Sequence, residues 1–310
     1  MKRYFREWSV AGALGVMLVA LAVFAPHFYD PQPLLSLATH EAPTLIVACG
    51  MTLVIICRQI DISVGSQFAI CGVVAGTLAG NQHWPMALAV LAAIALGALM
   101  GAFNGLLVAG LGLPSIVVTL ATMVTLRQGL DLFQQGLLVN LPDGAQWFGL
   151  SQTSGQWAII VVGLLIMLAL ALAMKHLAAG RFVYAVGTDA EAARLAGLRP
   201  RLVTFLTFVL IGALTGLAAT MNAVQSPQVA PNAGTGLELE AIAAVVVGGV
   251  SISGGRGNLW GVFAGLLLLS CISPALTQLH IAAYWEKAIQ GAIILLAVVA
   301  DGLRNRKTRH

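Results

Sequence analysis

Apolar residues run along the chain in ten blocks, approximately 9–28, 43–58, 64–80, 85–109, 115–135, 157–175, 202–224, 237–250, 259–279 and 284–301. Most approach the roughly 20 residues that a helix needs to cross a bilayer. The breaks between them are short and carry the prolines, glycines and charges. This pattern predicts an all-α polytopic membrane protein, a single domain over 1–310, with about ten transmembrane helices, some short or broken. Eight crossings with two re-entrant blocks would give the same pattern. The block at 237–250 is the clearest short one. It opens behind Glu238 and Glu240, which suit the partial positive charge of a helix N-terminus. It ends in a glycine-rich turn holding Gly248, Gly249, Gly254, Gly255 and Gly257 before the next block starts at Leu259. Non-helical backbone near membrane depth is tolerated only where protein buries it or water lines it, so short, glycine-interrupted blocks point to a translocation path.

Composition agrees with a membrane protein. Hydrophobic residues make up 59% and charged residues 9% of the chain, with a mean hydropathy of +0.91, against about 25% charged residues in soluble domains. The surplus of 16 Lys and Arg over 12 Asp and Glu is therefore a topology signal and not a nucleic-acid one. Placing both termini in the cytoplasm puts every basic residue except Arg127 and Lys287 on the inner side, as the positive-inside rule requires. The first block follows Lys2, Arg3 and Arg6 but lacks a small-residue cleavage site and precedes further spans, so it reads as a retained helix. Cys49, Cys57, Cys71 and Cys271 sit inside apolar runs without metal-like spacing and read as core residues. The loops at 27–41, 136–156 and 225–236 read as outer turns too small to form an external domain.

Several polar residues interrupt the apolar blocks. In Asp61-Ile62-Ser63-Val64-Gly65-Ser66, Asp61 or Ser63 can cap the following helix or offer a hydroxyl contact to a ligand, and Gly65 reads as part of a helix-break turn. Gly97 and Gly101 have the GxxxG spacing that allows close helix contact, and Asn104 just beyond them is either interhelical glue or a ligand group. Arg127 and Asp131 are four residues apart on one helical face, as a buried pair or as path-lining groups. Asn222, Gln225 and Gln228 end the seventh block, and Asn222, Gln225 and Glu240 join the path candidates. On the inner side, Glu191-Ala192-Ala193-Arg194 leads to Gly197, a short helix with a glycine stop.

Taken together, the segment from Gly236 to Gly261, the Asp61–Ser66 element, and the Glu191–Gly197 element resemble the membrane subunits of bacterial ABC sugar importers, the ribose, xylose, arabinose, rhamnose and autoinducer-sugar permeases. The resemblance runs from about Ile60 to Asp301. Where that family usually carries Gly-Gly ahead of the aspartate, this chain has Arg58 and Gln59, and Ile62 replaces a leucine. The resemblance implies that Glu191, Ala192, Ala193, Arg194 and Gly197 form a coupling element, within a cytoplasmic loop at about 176–201, that seats on an ATPase subunit. The bland reading of the same residues is an amphipathic surface helix. A short tail, 302–310, follows the last block.

No phosphate-binding GxxxxGK[ST] loop occurs in the chain. The expectation is a transport subunit, not an enzyme, that binds no cofactor itself, with ATP and Mg on a partner ATPase. A periplasmic sugar-binding protein, a second permease subunit and membrane lipid complete the expected partners, at the bacterial inner membrane. The rival reading is an ion-coupled carrier, which needs an intramembrane carboxylate relay; Asp61 and Asp131, the acids well inside the spans, have no second acid beside them. An intramembrane enzyme is a further rival, but the six histidines are scattered and form no HExxH.

Overall fold

The computed structural model describes residues 5–278 and, beyond them, residues 282, 285, 287–293, 295, 296 and 299. Lys2, Arg3, Tyr284, the tail and much of the last predicted block lie outside the described residues. The helices in chain order are α1 (Phe5–Phe24), α2 (Pro31–Ile56), α3 (Val64–Gly80), α4 (Met86–Gly105, prolonged by a π-helical turn to Gly110), α5 (Ser115–Gln134), α6 (Gln152–His176), α7 (Ala178–Thr188), α8 (Ala190–Leu195), α9 (Pro200–Ala223), α10 (Leu237–Val247), α11 (Leu259–Ser270) and α12 (Ile272–Gln278). Each of the first nine predicted blocks falls on a helix. Among the described residues, six helices are long and apolar enough to cross a membrane: α2, α4, α5, α6, α9 and α11 with α12. The chain is an all-α polytopic membrane protein.

At the centre stands α2, whose residues from Ala42 to Ile56 are all buried. A helix that is apolar all round must be enclosed, and α9, α6, α10 and α11 enclose it. Its 26 residues correct the sequence reading, which placed an outer loop over 27–41. Pro31 and Pro33 lie in the first turn, where a missing N–H costs nothing, and the helix continues through Pro43.

The tightest packing joins α4 to α9. A Cβ on Gly97 would stand 2.2 Å from Gly212 O, one on Gly101 2.1 Å from Phe208 O, and one on Gly216 2.3 Å from Ala93 O. Two small-residue stripes thus let the backbones touch. Among the described residues, the four cysteines are free and buried.

Two loops read as independent outer turns are joined. Val139 and Asn140 (β1) pair antiparallel with Gln228 and Val229 (β2), and Leu141 N–H and Trp147 N–H donate to Pro227 O and Val224 O at 2.9 and 2.8 Å. From there the chain turns back into the bundle. Val229 packs on Gly72 and Gly76 of α3, whereas Gly234 reaches Gly65 and Phe68. The eleven residues from Gly76 back to Gly65 correspond to about 16 Å of helix. The segment therefore descends along α3, and α10 starts at that depth. With 11 residues, α10 is a half-helix.

Candidate functional site

The stretch between α6 and α9 folds as a hairpin of two helices. Gly180 lets α7 turn back against α6, since a Cβ there would lie 2.4 Å from Met174 Cα. The buried face of α7 carries Gly180, Val183, Val186 and Gly187. Asp189 then caps α8, its Oδ1 accepting from Glu191 N–H at 2.9 Å and Ala192 N–H at 3.0 Å. Glu191 and Arg194 form a bidentate pair at 2.6 and 3.0 Å. The guanidinium holds the Glu191 carboxyl below its ordinary range, and the carboxylate raises Arg194. Gly197 ends the element with a φ of +85°, and the N–H groups of Gly197 and Leu198 close back on Arg194 O and Ala193 O, each at 3.0 Å. Of α8, Ala193 is buried and the other five residues face outward; Leu195 is 77% exposed.

Behind this exposed helix lies an interlock. Gly187 is so close to the end of α2 that a Cβ would stand 1.7 Å from Ile56 O and 2.8 Å from Gly255 N. Ile56 O also accepts from Gly255 N–H at 2.9 Å. Tyr184 donates its hydroxyl to Gly257 O at 2.7 Å, and Arg58 donates to Thr188 O. Burial pushes the Tyr184 phenol upward. Arg58 itself has a φ of +62°, the left-handed region that glycine enters at least cost. Gly249, Gly254, Gly255 and Gly257 all take positive φ in the break between α10 and α11. Gly248 and Gly261 let the two helices meet, with Gly248 O 2.1 Å from a Cβ on Gly261, and Asn258 Oδ1 caps α11 through Gly261 N–H at 2.7 Å. Three stretches far apart in sequence therefore meet: the α2 end, the α7–α8 hairpin and the glycine-rich turn.

Close by, the α2–α3 connection holds a buried polar cluster. Asp61 Oδ1 accepts from Ser63 N–H at 2.9 Å and from Ser63 Oγ at 2.5 Å. Ser63 Oγ accepts in turn from Gln67 Nε2 at 2.7 Å and Asn104 Nδ2 at 2.8 Å. Neither residue caps α3 through its side chain: Asp61 closes on the N–H of Ser63, the residue ahead of the helix, and Ser63 makes no cap bond. Ser66 Oγ donates to Met123 O at 2.8 Å. Gly65, expected in a helix break, lies instead in the first turn of α3, where a Cβ would meet Glu238 Oε2 at 2.2 Å and Gly234 O at 2.5 Å.

The remaining path candidates scatter. Arg127 makes no ion pair with Asp131 within bonding distance among the described residues; its Nη1 donates to Pro231 O and Ala233 O, both at 3.2 Å, and Glu238 is its strongest charged neighbour. It clamps the descending segment. Gln225 donates to Thr39 O and Met221 O at 3.3 and 3.1 Å, whereas Gln228 turns to Asn140 Oδ1 at 2.9 Å. Asn222 is half-buried. Glu240 lines a cavity of about 610 Å3 with Glu41, His40 and Ser270. Sequence reasoning missed Gly187, Tyr184 and Gln67. A signal existed for Gln67, an amide four residues after Ser63 on the same helical face.

A bundle of apolar helices with a half-helix, a segment descending beside it, and an exposed capped helix packed at one end is the architecture of a polytopic membrane protein. The family described as branched-chain amino acid transport system, permease component, matches residues 34–298. The ribose import permease protein RbsC of Escherichia coli K12 is 34% identical, covering 97% of this chain and 96% of that protein. The autoinducer 2 import system permease proteins LsrC of Enterobacter sp. 638 and Klebsiella pneumoniae are 35% and 36% identical, covering 98% of this chain and 89% of theirs. No solved structure matches the chain. The chain belongs to this family: it is a permease subunit of an ABC importer, a multi-pass protein of the bacterial inner membrane, with ATP hydrolysis on a separate subunit.

Proposed function

We propose that this subunit passes a monosaccharide, a pentose, deoxyhexose or related sugar, from a periplasmic binding protein to the cytoplasm, and that α8 is where a cytoplasmic ATPase takes hold. The observation that carries the reading is the interlock. Any displacement of α8 bears through α7 and Gly187 on the end of α2 and on the Gly254–Gly257 turn, and so on the α2–α3 and α10–α11 connections. Transport relatives named for ribose and autoinducer 2 support the sugar assignment. A second permease subunit, identical or different, completes the path.

The same arrangement supports ten crossings with both termini cytoplasmic. Arg58, Arg194 and the Arg256 turn gather at the end that carries α7 and α8, while Gln225, Gln228 and Asn140 gather at the other. The test is co-purification with the ATPase encoded beside it. Glu191→Lys and Gly197→Asp, both at exposed positions, should abolish it and leave the permease folded. Retention of the ATPase by both variants contradicts the assignment of α8.

A further inference from the structure

Seven residues, Cys57 to Ser63, join α2 to α3, and they are held from two sides. On one side stands the α7–α8 hairpin. Arg58 donates to Thr188 O, Cys57 Sγ lies 3.9 Å from Val183 O, and Gly187 leaves no room for a Cβ beside Ile56 O. On the other side stands α5. Ile60 N–H donates to Ser115 Oγ at 3.2 Å, and Ile60 O lies 3.3 Å from Thr119 Oγ1. Just past the connection, Ser66 Oγ donates to Met123 O at 2.8 Å. Ser115, Thr119 and Met123 follow one another at four-residue spacing, so one stripe of α5 takes all three contacts.

Little else fixes α5. Of its apolar stretch 17% is buried, against 89% for α2. The stretch of α4 and its π-helical turn is hardly more buried at 22%, but Gly97 and Gly101 lock that helix onto the backbone of α9. In α5 a Cβ on the one glycine, Gly129, would meet nothing within 4 Å. The link between the two helices is irregular. It consists of the π-helical turn Leu106–Gly110 and then Gly112, which has a φ of +73° and open space around it. Irregular turns of this kind often mark hinges. Farther along, α5 carries Arg127, which clamps Pro231 O and Ala233 O of the segment leading into α10.

We propose that the α2–α3 connection carries displacement of the α7–α8 hairpin to α5, with Ser115 and Thr119 as the positioning residues that make α5 follow. The bond from Asn104 Nδ2 to Ser63 Oγ, at 2.8 Å, ties the far end of the connection to α4, and so to α9. That pair is the fixed body. About the Leu106–Gly112 link α5 swings, and the Arg127 clamp takes the descending segment with it. The inference rests on α8 as the ATPase contact and adds the helix that answers it.

The test uses the full chain with its ATPase and binding protein in lipid nanodiscs. Spin labels go on Leu206→Cys of α9 as the reference and on either Ala179→Cys of α7 or Ala121→Cys of α5, all at exposed positions; the native cysteines are buried. Labelled chain is diluted into unlabelled chain, so distances within one subunit are read. Trapping with ATP and vanadate should shift both distances. Ser115→Ala with Thr119→Val should keep the resting distances and the α7 shift, lose the α5 shift, and lower the solute moved per ATP by about tenfold, the effect of one or two lost hydrogen bonds. Thr122→Val, whose hydroxyl bonds within α5, should transport normally. Should the double variant fail to fold, the two wild-type distances decide. An α7 shift that α5 does not follow overturns the proposal and leaves the α8 assignment standing, whereas no α7 shift overturns both. Wild-type coupling in the folded double variant also overturns it.

Discussion

Gly187→Ala tests the interlock with a single methyl group. The added Cβ would stand 1.7 Å from Ile56 O, and real Cβ contacts do not fall below 3.0 Å, so α7 must retreat by more than an ångström. The contacts at risk are Gly255 N–H to Ile56 O, because the methyl intrudes at 2.8 Å from that nitrogen, and Tyr184 Oη to Gly257 O. Two hydrogen bonds at about 0.5–1.5 kcal/mol each, with overpacking of about 1–3 kcal/mol, put the lost docking energy at roughly 2–6 kcal/mol. Even the lower figure changes the docked population by about 30-fold. The α4–α9 contact and the core of α2 are untouched, so the protein should fold and reach the membrane. In proteoliposomes with the ATPase and binding protein, ATP hydrolysis should persist while solute uptake falls by at least tenfold. Gly129→Ala, with nothing within 4 Å of its Cβ, is the control and should transport normally. Uptake by Gly187→Ala at the wild-type rate would refute the mechanical role given to α7.

Other consequences follow from individual contacts. Gly212→Val should prevent assembly, because a Cβ at this position already lies 2.1 Å from Gly97 O; the expected loss exceeds the usual 1–3 kcal/mol of overpacking and is read as absence from the membrane fraction. Arg58→Gly should be tolerated, since relief of a left-handed φ of +62°, worth about 1–2 kcal/mol, offsets the bond to Thr188 O; thermal unfolding within a few degrees of wild type checks it. Glu191 should titrate below the ordinary carboxylate range, as Arg194 lowers it. Its pairing is complete above the ordinary carboxylate pKa and is lost as pH falls through the lowered value, and Arg194→Ala should return the midpoint, followed by carboxyl NMR, to normal. Arg127→Leu should free the descending segment from its hold on Pro231 O and Ala233 O, seen as faster proteolysis within residues 225–236.

Much of the fold was legible because apolar runs in this chain have a single use. Blocks such as 64–80 and 157–175 fell on α3 and α6, since a run that long must be a helix in lipid. Gly97 and Gly101 announced a close contact but not its partner; the matching stripe of Gly212 and Gly216 is more than a hundred residues away. Proline misled at 31–43, where first-turn positions and an enclosed helix tolerate it. The descending segment was hidden because its polar composition reads like any outer turn, and only its packing against α3 fixes its depth. Gly187 gave no local signal: its importance comes from a carbonyl at the end of α2, 131 positions earlier in the chain.

Force entering through α8 from another subunit is the central proposal, and one uptake measurement addresses it directly. Proteoliposomes containing this chain alone, with a proton or sodium gradient imposed, should accumulate no sugar, whereas adding the ATPase, the binding protein and ATP should produce accumulation that stops when ATP is withheld. Uphill sugar uptake by the chain alone, driven by either gradient, would contradict it.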